Sequence, residues 1–413
     1  METAHNIEVL PEHARLIADP EVWIEGEAVD QLARIARMPG CVRAVGLPDL
    51  HAGPGFPIGA AFAFRDAIHP GLVGGDVGCG VRVVALPRAK ATGDTLERRA
   101  LDTTAGRALP DVLPGAVLEA VWRLGPRGLC EVRGVPDSLA ALAAEEPDEV
   151  GPYATLASGE TPDVEYGSAL GSVGGGNHFL EASRVGKIAD KEAAASVGLK
   201  RGGFAVLAHS GSRGLGKAIA TKWGHAVLTP QSATPYLQDL IGAVRFARAN
   251  RLVLCWRLLT ALGAARPGRI SGFFDVTHNT VEPGLADGAP AWIHRKGAAP
   301  AALEQLTAVL GSRGAPTWIM AGAGCGHALC SVAHGAGRRM NRSEAVEKMR
   351  ARYRRTDFRR TATGGRVICD DPRLLYAEHP DVYKDIEPVI ASLEGAGAAR
   401  RVASLLPMLT VKR

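Results

Sequence analysis

Apolar residues in this chain fall into short runs of β-branched and aromatic residues and into longer stretches with helical spacing. The short runs predict strands at 60–64, 81–86, 203–208, 272–276 and 316–320. The helical spacing predicts helices at 26–37, 94–108, 137–147, 214–226, 235–262, 343–355 and 383–394. Because these elements alternate without the regular spacing of a repeated βαβ array, we expect an α+β fold in one large mixed unit over 1–413.

Two features modify this picture of one unit. The longest predicted helix, 235–262, has an arginine-rich polar face. The acidic segment 143–167 and the short stretch 263–269 interrupt the pattern and have the composition of surface insertions or joints. We therefore interpret 143–167 as a surface insertion within the single unit, not as a domain boundary.

Glycine marks the points where chemistry is expected. The chain has 50 glycines, and they cluster in the stretches GLPDLHAGPGFPIG, GLVGGDVGCG, GSALGSVGGGNH, HSGSRGLG and AGAGCGH. Such density is typical of backbone that turns sharply or is approached closely by a ligand. Strand-like runs flank several of these clusters, so the sequence predicts a functional site built at strand ends.

The composition indicates which kinds of partner the protein has and in which cellular compartment it lies. The net charge is +5, and most of the 48 cationic residues are arginines, which bind phosphate oxygens in a bidentate fork. No apolar run is long enough to cross a membrane, and the N-terminal residues lack the layout of a signal peptide. Seven scattered cysteines fit a reducing compartment. We expect a cytoplasmic protein with phosphate-bearing partners, and we interpret six of the cysteines as packing residues.

Five of the twelve histidines lie in glycine- or asparagine-rich contexts. They are His51, His178, His209, His278 and His334. Taken singly, each is an ordinary loop histidine, and HGAG before arginines is typical of a loop with a solvated basic face. The sequence GGDVGCG changes this interpretation, because glycines beside Asp76 and Cys79 let a carboxylate and a thiolate point at one spot. Histidines from other strand ends can then add further ligands for a metal ion at that spot.

A thiolate, several imidazoles and a carboxylate suit a borderline divalent ion such as Mn, Co, Ni or Zn, whereas Mg and Ca prefer oxygen ligands. The sequence does not choose among those metals. It contains no CxxC pair and no HExxH helix, so neither a zinc knuckle nor a zincin is indicated. Five ligands are too many for one tetrahedral site with an open position. We therefore favour a binuclear centre, bridged by the thiolate, over a mononuclear one.

The chain resembles the RtcB family of RNA-splicing ligases over nearly its whole length. The resemblance is carried by motifs in the same order, namely GGDVGCG, GGGNHFLE, HSGSRGLG, THNTVE, HRKGA, GSRG, HGAGRRMNR, VYKDI and a lysine one residue from the C-terminus. It implies that one Mn²⁺ is held by Asp76, Cys79 and His178. A second Mn²⁺ would share Cys79 and bind His209 and His278.

The same resemblance implies a guanylated histidine. His334 would be the nucleophile that takes GMP from GTP. Nucleotide contacts would fall on Asn177, His178, Glu181, Asn279, Gly311, Ser312, Arg313, Thr317, Gly335, Ala336, Gly337 and Lys412, with Tyr383 packing near the base. The small residues of HGAG have a physical reason in this setting, because bulky side chains would keep the α-phosphorus from the ring.

The implied activity is a GTP- and Mn-dependent RNA ligation in RNA repair or tRNA splicing. An end with a 2′,3′-cyclic phosphate or 3′-phosphate would be capped with GMP and then joined to a 5′-hydroxyl end. RNA is the expected partner, with an archease-like activator as a further candidate. RNA phosphates would contact basic residues near the cleft, for which we name Arg213, Arg251, Arg295 and Lys296, each weighed against a structural ion pair. His51 and His294 match family positions as active-site lining.

Several positions depart from the family pattern. Thr277 precedes His278 where the family has a double histidine, and Arg313 replaces a methionine. Further departures are Leu310 for proline, Thr317 and Asn341 for serine, and Arg413 for a terminal glycine. None removes a proposed metal ligand. They predict a divergent branch of the family, in which Arg313 adds positive charge at the triphosphate site.

Two other functions remain open at this stage. A binuclear-metal hydrolase could open cyclic phosphates without ligation, with the same metal shell and with His334 as an ordinary loop residue. A non-catalytic RNA-binding protein with a structural metal is the other alternative. Retention of GMP on the protein distinguishes the ligase from both.

Overall fold

The structure is a computed structural model that describes residues 6–88, 93–149 and 152–413, with the backbone alone at 355 and 356. Its strands are β1 (Ile7–Val9), β2 (Ala14–Ile17), β3 (Cys41–His51), β4 (Ile58–Phe64), β5 (Gly80–Leu86), β6 (Phe179–Ile188), β7 (Phe204–Ser210), β8 (Gly272–Thr277), β9 (Asn279–Ala286), β10 (Ala289–Lys296), β11 (Ala298–Pro300), β12 (Leu306–Val309), β13 (Thr317–Gly322), β14 (Ser331–Ala333), β15 (Arg366–Cys369) and β16 (Ala399–Lys412).

The α-helices are α1 (Gly26–Ala36), α2 (Gly93–Thr103), α3 (Pro114–Leu124), α4 (Asp137–Ala144), α5 (Lys191–Ser196), α6 (Gly214–Trp223), α7 (Thr234–Ala261), α8 (Arg342–Arg352), α9 (Pro372–Ala377) and α10 (Ile386–Gly395). Short 3-10 turns lie at Pro70–Leu72, Gly125–Cys130, Val164–Ala169, Pro267–Arg269, Gly326–Ala328, Arg355–Phe358 and Pro380–Val382. Within the described part of the chain, no helix is both long and apolar enough to span a membrane.

Two large sheets organise the molecule. One has six strands in the order β1-β2-β3-β4-β10-β9. The other has eight, in the order β12-β13-β16-β6-β7-β5-β8, with β15 pairing beside β16. Strands β11 and β14 form a separate pair. Most neighbours are antiparallel, and the exceptions are β2 with β3 and β15 with β16.

Burial on both faces explains the nearly continuous apolar sequence of β5. Val84 and Leu86 belong to the apolar cluster shared with α7, whereas Val81 and Val83 point into a second cluster shared with β13 and β16. Successive side chains of a strand point to opposite faces, so a strand covered on both sides needs apolar residues throughout. Arg82 interrupts this run on the α7 side.

The predicted α+β class and the single mixed architecture are confirmed. Every predicted strand is present, within three residues at each end, and so is every predicted helix, within five residues. The sequence interpretation missed α3, α5 and α9 and several strands, including the long strands β3, β6 and β16. Strand β16 lies between β13 and β6, and its Pro407 stands where the pairing register with β6 shifts.

The arginines of α7 do not form a solvated polar face. Arg245, Arg251 and Arg257 are all buried, with at most 7% of each residue exposed. The guanidinium of Arg257 donates to the carbonyls of Thr103 and Gly171, and Arg245 pairs with Glu149. The helix is covered on more than one side, and its arginines satisfy buried carbonyls and carboxylates.

Most described residues of segment 143–167 are exposed or half-buried, but the segment is attached to the core; its residues 150 and 151 lie outside the described ranges. Glu146 is only 2% exposed and forms an ion pair with the equally buried Arg82 of β5. Glu149 accepts two hydrogen bonds from Arg245, at 2.9 and 2.6 Å. Two buried acidic contacts therefore attach the segment to the sheet and to α7.

We expect Glu146→Ala to destabilise the fold strongly. Removing one member of a buried ion pair leaves an uncompensated charge and costs about 3–5 kcal/mol. Denaturant or thermal unfolding would measure the loss. Glu131→Ala is the matched control, because Glu131 pairs with Arg123 at the surface, where both side chains are more than half exposed. Equal losses in the two variants would contradict a structural role for the buried pair.

Candidate metal centre and histidine site

Strand pairing brings three candidate ligands to one sheet edge. Strand β5 lies between β7 and β8, and its first residue, Gly80, is opposite both Ser210 and Thr277. Cys79 precedes Gly80, while His209 and His278 are chain neighbours of Ser210 and Thr277. The backbone N–H of His278 also donates to the carbonyl of Cys79 at 2.8 Å. The register of three strands therefore fixes where these side chains begin.

The fourth strand adds another histidine. Phe179 of β6 is opposite His209 of β7, so His178, one residue earlier, lies at the same edge. Asp76 reaches the cluster from the loop before β5. Its Oδ2 lies 2.7 Å from His178 Nε2.

The ligand atoms form two groups that share one sulfur. Cys79 Sγ lies 3.3 Å from His178 Nε2 and 3.4 Å from His209 Nε2. The Nε2 atoms of His209 and His278 are 3.3 Å apart. Asp76, Cys79 and His178 form one group, and Cys79, His209 and His278 form the other; within each group all ligand atoms lie within 4.8 Å of one another.

The chemistry of the cluster fits a bound cation. Burial lowers the pKa of His209 and of His278 well below the usual range, so both rings are neutral and expose lone pairs. Burial and the neighbouring Asp76 raise the pKa of the Cys79 thiol. Two neutral imidazole nitrogens facing each other can share only one proton, and a thiolate needs a positive partner at this depth. A divalent ion in each group would meet both requirements, and the donor set fits a borderline transition metal.

Arg251 holds the loops that carry three of these ligands. It is fully buried, and its Nη1 donates to the carbonyls of Gly78 and Ser210, at 2.8 and 2.9 Å. The rest of the guanidinium forms a bidentate pair with Asp275, at 3.0 and 2.6 Å. A longer contact of 3.4 Å reaches Thr277. One side chain thus fixes the backbone next to Cys79, His209 and His278.

Two glycines give the centre the space it needs. A side chain at Gly211 would begin 2.1 Å from Asp76 Oδ1. Gly297 has a φ of +62°, and a Cβ there would lie 2.7 Å from Ile58 and 3.0 Å from the His334 ring. Glycine is therefore required beside the carboxylate and beside the histidine, which explains part of the glycine clustering.

His334 lies beside the metal-ligand groups and is oriented by a carboxylate that the sequence interpretation missed. Its ring centroid is 4.9 Å from that of His278 and 6.4 Å from that of His209. Its Nδ1 lies 2.6 Å from Asp49 Oδ2, and its backbone N–H donates to the same oxygen at 3.2 Å. Asp49 is fully buried at the end of β3. The only sequence signal was an acidic residue near the end of an apolar run, two positions before His51.

A cavity of about 830 Å³ opens over both groups and over His334. Its wall includes all five candidate metal ligands and all but one of the residues expected to contact the nucleotide. The expected contacts on the wall are Asn177, Glu181, Asn279, Gly311, Ser312, Arg313, Gly335, Ala336, Gly337, Tyr383 and Lys412. This volume suits a ligand of nucleotide size.

Buried ionisable groups line part of this cavity. Glu181 accepts hydrogen bonds from Ser183 and Thr410, and burial raises its pKa to about 7. The Lys412 ammonium donates to the carbonyls of Gly176 and His178, and burial lowers its pKa to about 8. Arg313 donates to the Leu375 carbonyl at 3.1 Å, while its Nη1 has no partner among the described residues. These groups give the wall both an acceptor and several donors.

Several predicted residues have other roles. Thr317, on β13, is buried and lies off the cavity wall. Arg251 and Arg295 are also buried, and Arg295 pairs with Glu282 and donates to Ser331, so neither guanidinium is exposed for the RNA contact expected of it. His294 is fully buried and accepts a hydrogen bond from the His69 backbone, so it does not line the site.

The remaining predicted positions differ in access. Lys296 lines the cavity and donates to the Phe56 carbonyl at 3.2 Å. Arg213 is half-buried and donates to Ser172, next to the glycines that precede His178. His51 lines the cavity, as expected, and its ring nitrogen Nδ1 contacts the Asp49 carbonyl at 2.8 Å. Asn279 lies on the wall, where it bridges the Asp76 carbonyl and the Gly297 N–H.

The structure combines a mixed α/β fold, two candidate ligand groups that share the Cys79 sulfur, and a histidine oriented by a carboxylate, all at one cavity of nucleotide size. Comparison with known proteins identifies the family. The model described as tRNA-splicing ligase RtcB matches residues 31–229 and 224–413. The chain therefore belongs to the RtcB family.

Curated relatives are similar over nearly their full length. RNA-splicing ligase RtcB2 of Escherichia coli is 35% identical over 404 residues, covering 96% of this chain and 94% of that protein. RNA-splicing ligase RtcB of Mycobacterium tuberculosis is 32% identical, covering 92% of this chain and 100% of that protein. The tRNA-splicing ligase RtcB of Archaeoglobus fulgidus is 29% identical over 451 residues, covering 94% and 92%.

We expect Cys79→Ala to abolish most metal binding, because its sulfur belongs to both ligand groups. Protein stripped with chelator, reloaded with Mn²⁺ and desalted would be assayed by elemental analysis. Wild type should retain two ions per chain and Cys79→Ala close to none. Cys41→Ala is the control, since Cys41 lies at the far end of β3 from His51. A Cys79→Ala protein that keeps its metal would contradict the assignment.

Proposed function

We propose that this protein is a GTP- and Mn-dependent RNA ligase acting in RNA repair or tRNA splicing. It joins ends with a 2′,3′-cyclic phosphate or 3′-phosphate to 5′-hydroxyl ends through a guanylated histidine. One observation carries the proposal: His334, oriented by Asp49, faces the same cavity as the two ligand groups. Family membership supplies the class of substrate, since the curated relatives are named RNA-splicing or tRNA-splicing ligases.

Asp49 determines which nitrogen of His334 reacts. A carboxylate can only accept a hydrogen bond, so Nδ1 carries the proton and Nε2 keeps its lone pair. In the first step Nε2 attacks the α-phosphorus of GTP. A P–N bond forms, the bond to the bridging oxygen of the β-phosphate breaks, and pyrophosphate leaves. The resulting imidazolium character is stabilised by the Asp49 carboxylate.

The ligand groups would hold the divalent ions. Asp76, Cys79 and His178 would bind one, and Cys79, His209 and His278 the other, as their spacing and donor types fit. Bound there, Mn²⁺ would neutralise negative charge on the phosphates. Strand register and Arg251 hold the ligand side chains in these positions, so the side chains need little rearrangement when metal ions bind.

The cavity wall provides groups for guanine and phosphates. The Glu181 carboxylate would accept from the N–H donors on the Watson–Crick edge of guanine. Gly335 and Gly337 line the cavity beside His334, and their backbone N–H groups would bind the phosphates, whereas the Ala336 N–H already donates to the Leu310 carbonyl. Arg313 adds a donor that the family pattern lacks, so it is a candidate for setting nucleotide preference.

Two transfers complete the reaction. A 3′-phosphate oxygen of RNA attacks the guanylate phosphorus, the P–N bond breaks, and His334 is regenerated as GMP caps the RNA end. The 5′-hydroxyl of the partner strand then attacks the RNA phosphate, and GMP leaves. A cyclic end must be hydrolysed to a 3′-phosphate before the first of these transfers.

Labelling with α-³²P GTP and Mn²⁺ tests the proposal. Wild-type protein should retain label through denaturation, lose it in acid and keep it in base, as a phosphoramidate does. His334→Ala should take up no label while keeping its metal. His327→Ala is the matched control, because His327 is an exposed histidine off the cavity wall.

A protein that retains no label but still opens cyclic phosphates would be a hydrolase, and the ligase proposal would fail. A His334→Ala protein that still joined RNA ends would overturn the assignment of the nucleophile.

Asp49→Ala should slow guanylation by at least about 100-fold, because Nδ1 loses the acceptor that fixes the tautomer. Asp49→Asn should lose less, since its amide oxygen can still accept from Nδ1. Single-turnover labelling would give the rates, and metal content should stay at the wild-type level in both. An unchanged rate in Asp49→Ala would show that Asp49 only supports the fold.

A further inference from the structure

Positive charge is concentrated in one stretch of the chain, the arginine segment (residues 338–360). It contains nine arginines and one lysine against three acidic residues, a net charge of +7. The whole protein has a net charge of only +5. The remainder of the molecule is therefore slightly acidic, and any polyanion will be attracted to this stretch first.

The segment begins inside the proposed active site. Arg338 follows the HGAG loop directly, lines the main cavity and pairs with Glu378. Arg342, at the start of α8, lines the same cavity and is largely exposed. The segment therefore leads from the His334 cavity to the outer surface.

A second cavity lies along this route. It has a volume of about 500 Å³ and shares Ser312 and Tyr383 with the main cavity. Arg339 and Arg352 line it, together with Lys384 and the carboxylates of Asp381 and Asp385. Lys384 is occupied, because its ammonium donates to two backbone carbonyls. Arg352 lies 3.8 Å from Asp381, so Arg339 is the cation of this cavity that has no partner among the described residues.

The far end of the segment packs against the loop that walls the main cavity. The Arg313 guanidinium lies 5.4 Å from the centre of the Phe358 ring. Just beyond the segment, Thr363 donates to the Gly314 carbonyl at 3.2 Å. Arg359 and Arg360, beside Phe358, are therefore on the same side of the molecule as this loop.

Several of these arginines are free. Arg339, Arg359 and Arg360 are exposed, and their guanidinium groups have no ion-pair or hydrogen-bond partner in the described part of the chain. Of these three, Arg339 lines the second cavity. Exposed, unpaired arginines are typical of phosphate contacts.

We propose that the arginine segment is the surface that binds the RNA backbone and leads one strand past the second cavity to His334. The inference rests on the proposed function. It replaces the expected RNA contacts at Arg251 and Arg295, which are buried. The contacts are to phosphates, so they give affinity and direction without sequence preference.

The test compares three variants in RNA binding. Arg339, Arg359 and Arg360 are changed together to glutamine in one variant and together to lysine in the second. The control variant changes Arg201, Arg266 and Arg269 to glutamine, since these are also exposed, unpaired in the described chain and off both cavity walls. Fluorescence anisotropy with a single-stranded RNA bearing a 3′-phosphate would give Kd over a series of salt concentrations.

The glutamine variant should bind RNA about tenfold more weakly, and its log Kd should depend less steeply on log salt, by about 2 for three lost contacts. The lysine variant should retain most of the affinity, and the control should match wild type. An equal Kd for the glutamine variant and wild type would overturn the inference. The segment would then be a candidate site for another polyanion, such as an acidic protein.

Guanylation of the wild-type protein by GTP without RNA distinguishes a failure of the proposed function from a failure of the RNA-binding inference. Absence of wild-type guanylation would defeat the proposed function, whatever the RNA data show. Normal guanylation with unchanged RNA binding in the glutamine variant would defeat this inference only.

Discussion

The centre depends on one buried guanidinium. Arg251 of α7 binds the carbonyls beside Cys79 and His209 and, through Asp275 and Thr277, strand β8, which ends one residue before His278. Three strand ends are thereby held at fixed separations by a group that carries permanent charge. Neutral imidazoles and a buried thiol attract one another only weakly, so the hydrogen bonds of Arg251 are needed to keep these side chains close together.

The same arrangement explains the small residues around His334. The ring stands within 5 Å of His278, with Asp49 behind it and Gly297 against its edge. Any side chain at Gly297 would collide with the ring. A Cβ at Gly337 would lie 2.5 Å from the Asp49 carbonyl oxygen, and one at Gly335 would lie 3.0 Å from the Leu310 carbonyl oxygen. Close backbone packing around the ring therefore explains why these positions are glycine.

Local sequence patterns predicted the features that depend on residues near one another in the chain. Short β-branched runs and helical spacing located the predicted elements, and residue types at glycine-rich strand ends located the five metal-ligand candidates. Arg251 was expected to contact RNA because a sequence does not show that α7 is covered on more than one side. Asp49 was missed because its partner, His334, is 285 positions away in the chain. Family resemblance, and not local pattern, supplied the expected nucleotide contacts, of which Thr317 lies off the cavity wall.

The central claim is that Cys79 is shared by two cations beneath His334. An anomalous difference map from Mn²⁺-soaked crystals, collected at the manganese edge, tests it most directly. The account predicts two peaks within bonding distance of the Cys79 sulfur, one extending to Asp76 and His178 and the other to His209 and His278. A map with no peak at Cys79, or with manganese bound only elsewhere, would contradict it.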